Sequence, residues 1–182
     1  MRVLLALALV AIMAGEVEAR LRGGVWKQDR IPVWDSTAAE WQPFVKRAVH
    51  QFNRAMPKNV PRLIYHARIE QPCDDLPVYG DPGGIRLCLD PDLIGAESRG
   101  NTRYIQSGRV LYRAMIRLWP DASETLRDTL ICHELMHAVT TAPDSRGGWD
   151  RLDTSCVRGA LDAPGSWDVG FARRLYRQHR HH

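Results

Sequence analysis

The residues with a chemistry of their own stand in one short run, Leu130-Ile131-Cys132-His133-Glu134-Leu135-Met136-His137. His133 and His137 are one helical turn apart, so on a helix both project from one face, with Glu134 on its flank. Two imidazole nitrogens at about 2.0–2.1 Å, a third protein ligand and a water in the open position make a catalytic zinc site. The metal would lower the pKa of that water towards about 7 and polarise a carbonyl, while Glu134 is placed to take the proton. The bland reading of the same string is a polar helix face carrying two solvated histidines. So short a motif takes its meaning from its surroundings.

The elements that must position these residues can be read in outline. Asp121 with Glu124 reads as the cap of a helix that places Leu126, Leu130, His133 and His137 on one face. Pro143 disfavours helical geometry at Ala142, so the chain must turn beyond His137, and Asp144 follows directly. Ahead of this helix, Arg109 to Trp119 reads as a strand with Arg109, Arg113 and Arg117 on one solvated side, as at a sheet edge. The polar stretch from Gly95 to Gly108 reads as a mobile connection. Further back, Ile31 to Asp35 is expected as a strand. Thr37 with Glu40 forms a capping box. Trp41, Phe44, Val45, Ala48, Val49 and Phe52 then recur at helical spacing up to Pro57. Leu63 to Ile69 and Ile85 to Leu89 read as two more strands. Trp149 to Gly159 is loop beyond a Gly147-Gly148 hinge, and Pro164-Gly165-Ser166 opens a last helix. His50, beside the first helical stripe, reads as a surface or half-buried residue and not a ligand. The tail from His179 to His182 reads as a frayed basic terminus.

Residues 1–19 have a basic start at Arg2, an apolar run from Val3 to Ala14, and small or apolar residues at Val17 and Ala19, the pattern of a secretory signal peptide cut after Ala19. The run is shorter than the roughly 20 residues a membrane span requires. Residues 20–182 are then expected to form one exported domain. The formal charge of +4 becomes +5 once Arg2, Glu16 and Glu18 are removed. The cations are scattered, which argues against nucleic-acid binding. Asp74, Asp75 and Asp81 lack the spacing of a calcium loop and read as turn residues. Four cysteines in an oxidising compartment imply two disulfides, with three pairings possible. Cys73 and Cys88 bracket a turn-rich excursion and are the expected pair, leaving Cys132 with Cys156. The second bridge would tie the motif helix to the loop that returns beneath it.

With these features in place, the chain resembles the metzincin zinc proteases, in particular their matrixin-like and snapalysin-like secreted bacterial members. The resemblance rests on His133-Glu134-x-x-His137, on Cys132 just ahead of it, and on Thr154-Ser155-Cys156-Val157 before the final helix. It covers Arg109 to Tyr176 and is architectural before that. It implies an α/β fold: a twisted mixed sheet, a long backing helix, a motif helix crossing under an edge strand, and a C-terminal helix. In that family the edge strand binds extended peptide by strand addition. The family pattern continues His-x-x-Gly-x-x-His/Asp, whereas Thr140 stands here at the glycine and Pro143 at the third ligand. Asp144, one residue later, is the expected third ligand, with Asp150 and Asp153 as alternatives. Val157 replaces the methionine of the family's later turn.

Two readings follow. The first is a secreted, monomeric zinc endopeptidase acting on peptide or protein, with His133, His137 and Asp144 holding zinc and Glu134 as general base. The second is a non-catalytic exported domain that keeps the zinc, as the altered spacing would permit. Glu134 separates them, because a purely structural zinc site has four protein ligands and no use for an adjacent base. About a dozen residues separate Arg20 from the first strand, too few for an independently folded pro-domain.

Overall fold

The computed structural model describes residues 24–68, 70–73, 83–93, 99–141 and 164–179. The elements in chain order are β1 (Val25–Trp26), β2 (Arg30–Asp35), α1 (Gln42–Ala55), β3 (Arg62–Ala67), β4 (Gly84–Leu89), a 3₁₀ turn (Pro91–Leu93), β5 (Gly100–Ser107), β6 (Val110–Leu118), α2 (Glu124–Thr140) and α3 (Ser166–His179). They form the expected α/β architecture, one mixed sheet with helices packed on it.

Alternation in β2 sends Ile31, Val33 and Asp35 inward and leaves Pro32 and Trp34 on the opposite face. β2 pairs in parallel with β3 on one side and β4 on the other. α1 makes the crossover that parallel β2 and β3 need. It buries the stripe legible in the sequence, Trp41, Val45, Ala48, Val49 and Phe52. β4 pairs in parallel with β6, and β1 adds two residues to the same edge of β6 at Val110 and Leu111. The opposite edge of β6 is taken by β5, the antiparallel strand. Gly84 opens β4 at φ +153°, where a Cβ would stand 2.6 Å from the Pro32 carbonyl oxygen, so the β2–β4 approach requires glycine.

This arrangement corrects the edge assignment. β6 is an interior strand: Leu111, Ala114, Met115, Ile116 and Leu118 are buried, and Arg113 and Arg117 are half-buried. Arg117 pairs with the buried carboxylate of Asp90 instead of facing solvent. Pairing passes from Arg113 to Leu111 and leaves Tyr112 as the extra residue of a bulge, which breaks the phase between Arg109 and Arg113. The edge is β5, inside the stretch expected to be a mobile connection. Among the described residues no strand pairs with its outer side. At the far edge, Asn53 of α1 holds both backbone groups of Leu63 in β3, at 2.7 and 2.8 Å.

α1 and α2 lie side by side. Arg47 meets Asp128 through two nitrogens, at 3.1 and 2.5 Å, and Arg127 lies over Trp41 and Phe44. Neither predicted capping box forms: Trp41 and Ser123 are the N-caps, and neither makes a side-chain cap bond. Thr37 is engaged elsewhere, its N–H and hydroxyl both donating to Oδ1 of buried Asp35. Cys73 and Cys88 are bridged as expected, with Cα atoms 5.3 Å apart. Cys132 is also disulfide-bonded. Its expected partner Cys156 lies outside the described residues, as do residues 1–23, Asp74, Asp75, Asp81 and residues 142–163.

Candidate metal centre

α2 carries the motif, and its second half is buried on most sides. Ile131, Cys132, Glu134, Leu135, Met136, Ala138, Val139 and Thr140 are covered, while His133 and His137 are half-buried. The helix backs β5 and β6, so it packs on the strand whose outer edge is free. The two Nε2 atoms stand 2.9 Å apart, with the rings nearly perpendicular at 87°. That is hydrogen-bond distance; two ligands at about 2.0–2.1 Å from one tetrahedral ion stand about 3.3 Å apart, so the rings would part slightly to share a metal. Imidazole nitrogens are among the ligands that zinc takes.

Glu134 is only 4 % exposed, and its Oε1 lies 4.0 Å from the His133 Nε2. Its Oε2 accepts a hydrogen bond of 2.5 Å from the Thr102 hydroxyl of β5. The carboxylate therefore sits between the imidazole pair and the edge strand. Asp168, in the first turn of α3, is buried and accepts from the Gly165 N–H at 3.2 Å. Burial pushes its carboxyl up to about 6, against the opposing pull of that N–H and of the neighbouring His137 imidazole.

The end of α2 falls ahead of Ala142, where Pro143 disfavours helical geometry. The helix continues to Thr140, and Thr141 takes the left-handed conformation, φ 47° and ψ 26°. The last carbonyls are satisfied one by one. The His137 carbonyl accepts from the Thr141 N–H, that of Ala138 from the Trp26 indole at 2.9 Å, and that of Val139 from the Tyr176 hydroxyl at 2.9 Å. The Tyr176 oxygen also accepts from the Trp26 N–H, and the Thr141 hydroxyl accepts from the Gly24 N–H at 2.5 Å. β1 and α3 thus fix the point at which the chain leaves the motif helix.

The structure brings together His133, Glu134 and His137 among the residues expected from the sequence. Asp144, Asp150 and Asp153 lie outside the described residues, among which no group of three or more His, Cys, Asp or Glu is clustered for a metal. Gly100, Thr102, Trp26 and Tyr176 had no assigned role at the site. Thr102 sits in a run, Asn101-Thr102-Arg103-Tyr104-Ile105, whose β-branched and aromatic residues were the available strand signal, and Gly100 directly precedes it. Comparisons of the chain with protein-family models, with curated proteins and with solved structures find no match.

Proposed function

We propose that the protein is an exported zinc-dependent endopeptidase of metzincin type. The observation that carries the reading is the pair of Nε2 atoms 2.9 Å apart with the Glu134 carboxylate 4.0 Å from one of them, on a helix lying under a free strand edge. His133 and His137 would hold the metal through Nε2. Bound zinc supplies a Lewis acid that polarises a carbonyl oxygen and acidifies water. Glu134 accepts a proton at Oε1 from the attacking water and returns it to the departing amide nitrogen. The outer edge of β5 offers backbone N–H and C=O groups to an extended peptide, which aligns the scissile bond across the motif helix.

Asp144 is the proposed third ligand, and the helix end supports it. In the resembled pattern the third ligand stands three residues beyond a glycine, the residue type that most readily adopts a left-handed turn. Here Thr141 is left-handed, and Asp144 stands three residues beyond it. The turn and the aspartate are displaced by the same single residue.

The test is hydrolysis of an unfolded protein by residues 20–182. Activity is expected to vanish with a chelator, to return with zinc, and to fall by about 10²–10⁴ in Glu134→Ala. Metal-independent cleavage overturns the proposal. Tight zinc binding without turnover on a broad peptide library overturns it in favour of the non-catalytic exported domain.

A further inference from the structure

β5 presents Gly100 and Thr102, two residues apart and so on one side of the strand, to α2. The Thr102 hydroxyl lies 2.5 Å from Glu134 Oε2 and 3.2 Å from the Glu134 carbonyl oxygen. The shorter contact has the length of a hydroxyl donating to a carboxylate. The other carboxylate oxygen, Oε1, is the one 4.0 Å from His133 Nε2. It occupies space that only a glycine at position 100 leaves. A Cβ there would stand 2.6 Å from Oε1, 3.0 Å from Cδ and 2.8 Å from Leu130 Cδ1.

We infer that Thr102 and Gly100 are positioning residues for Glu134. The hydroxyl pins Oε2, the absent side chain admits Oε1, and the carboxylate is held with Oε1 towards the imidazole pair. The inference rests on the reading of Glu134 as the proton acceptor. A glutamate has enough rotamer freedom that fixing it costs entropy, and a misplacement of about 1 Å in a reacting group costs about 10²-fold. β5 then has two functions divided between its sides. Its outer edge aligns peptide, and its inner face sets the base, so the strand that receives substrate also fixes the distance between substrate and proton acceptor.

Thr102→Val removes the hydroxyl at nearly constant shape, and Thr102→Ser restores it. The expected result is a fall in kcat of about tenfold or more for the valine variant, with KM and zinc content within about twofold and recovery to within about threefold in the serine variant. Gly100→Ala, which crowds Oε1, is expected to lower kcat while retaining zinc. A valine variant with unchanged kcat, a serine variant as impaired as valine, or an alanine variant with full kcat overturns the inference. A second measurement needs neither metal nor turnover. In thermal denaturation of the metal-free protein, Thr102→Val is expected to lower the midpoint in the parent and to have a clearly smaller effect in a Glu134→Ala background, where only the 3.2 Å contact to the backbone carbonyl of residue 134 remains to be lost. Equal shifts in both backgrounds overturn the pairing. A parent protein without zinc-dependent hydrolysis refutes the peptidase reading instead, and the denaturation cycle then still decides whether Thr102 holds Glu134.

Discussion

His133 and His137 converge because one helical turn separates them, and in the proposed zinc centre a third ligand would come from the chain beyond Thr141. Asp144 lies closest along that chain, so Asp144→Ala is expected to abolish stoichiometric zinc binding at fixed pH, while Asp150→Ala and Asp153→Ala retain it. The opposite pattern, read by metal analysis after dialysis, sinks the assignment. Asp35 is a second residue whose surroundings set its chemistry. It is fully buried, accepting from Thr37 and from the Tyr65 hydroxyl at 3.0 Å. Burial raises its carboxyl above the usual 3.8, and the bonds from Thr37 and Tyr65 only partly offset this. The same carboxylate and burial push the Tyr65 hydroxyl up to about 12. A raised carboxyl holds its proton more tightly folded than unfolded, so the contribution of Asp35 to stability is fully present below 3.8 and is lost as pH rises through the folded value. Asp35→Asn has no proton to lose. Its thermal midpoint relative to the parent is expected to rise between pH 3.5 and pH 7, and a constant difference across that range contradicts the sign.

At the scale of elements, the C-terminal end of α2 is the junction on which the centre depends. A helix end leaves several carbonyls without partners. Here two of them are taken by side chains distant in sequence, the Trp26 indole and the Tyr176 hydroxyl. Tyr176 also accepts from the Trp26 N–H, so one phenol joins β1, α2 and α3. Tyr176→Phe strands a buried carbonyl and is expected to cost about 1–3 kcal/mol in denaturant unfolding. The helix end is also the start of the chain that leads to Asp144. Weaker zinc binding is therefore expected in the phenylalanine variant, and an unchanged affinity with lowered stability would confine Tyr176 to the fold.

At the scale of the molecule, the sheet is held together differently at its two ends. β5 is joined to the rest through β6 and α2, whereas the strands nearer β3 are reinforced by the Cys73–Cys88 bridge. That bridge spans a sequence separation of 15, for which the loop-entropy estimate is about 3 kcal/mol. A Cys73→Ala, Cys88→Ala double variant is expected to lose about that stability in urea while binding zinc with unchanged stoichiometry, since the bridge lies on β4 and not on the motif helix. Loss of zinc in a variant that remains folded would show that the two ends are coupled.

What the sequence determined by itself was the local chemistry and the local periodicity. The His133–Glu134–His137 spacing, the apolar stripe of α1 and the alternation of β2 each arise within a few residues, where helix or strand geometry alone decides which side chains share a face. The pairing of Cys73 with Cys88 was legible for a similar reason, because turn-forming residue types stand between them in the sequence. The tertiary structure alone decided which strand is the edge. β5 and β6 both carry polar residues, and whether a polar strand is an edge depends on which distant strands pair with it. It also decided that Thr37 serves Asp35 instead of capping a helix, because Asp35 is fully buried and must find its donors nearby. The same holds for Thr102 and Gly100 at Glu134, and for Trp26 and Tyr176 at the end of α2. Their roles exist only where two elements meet, and no spacing within either element encodes that meeting.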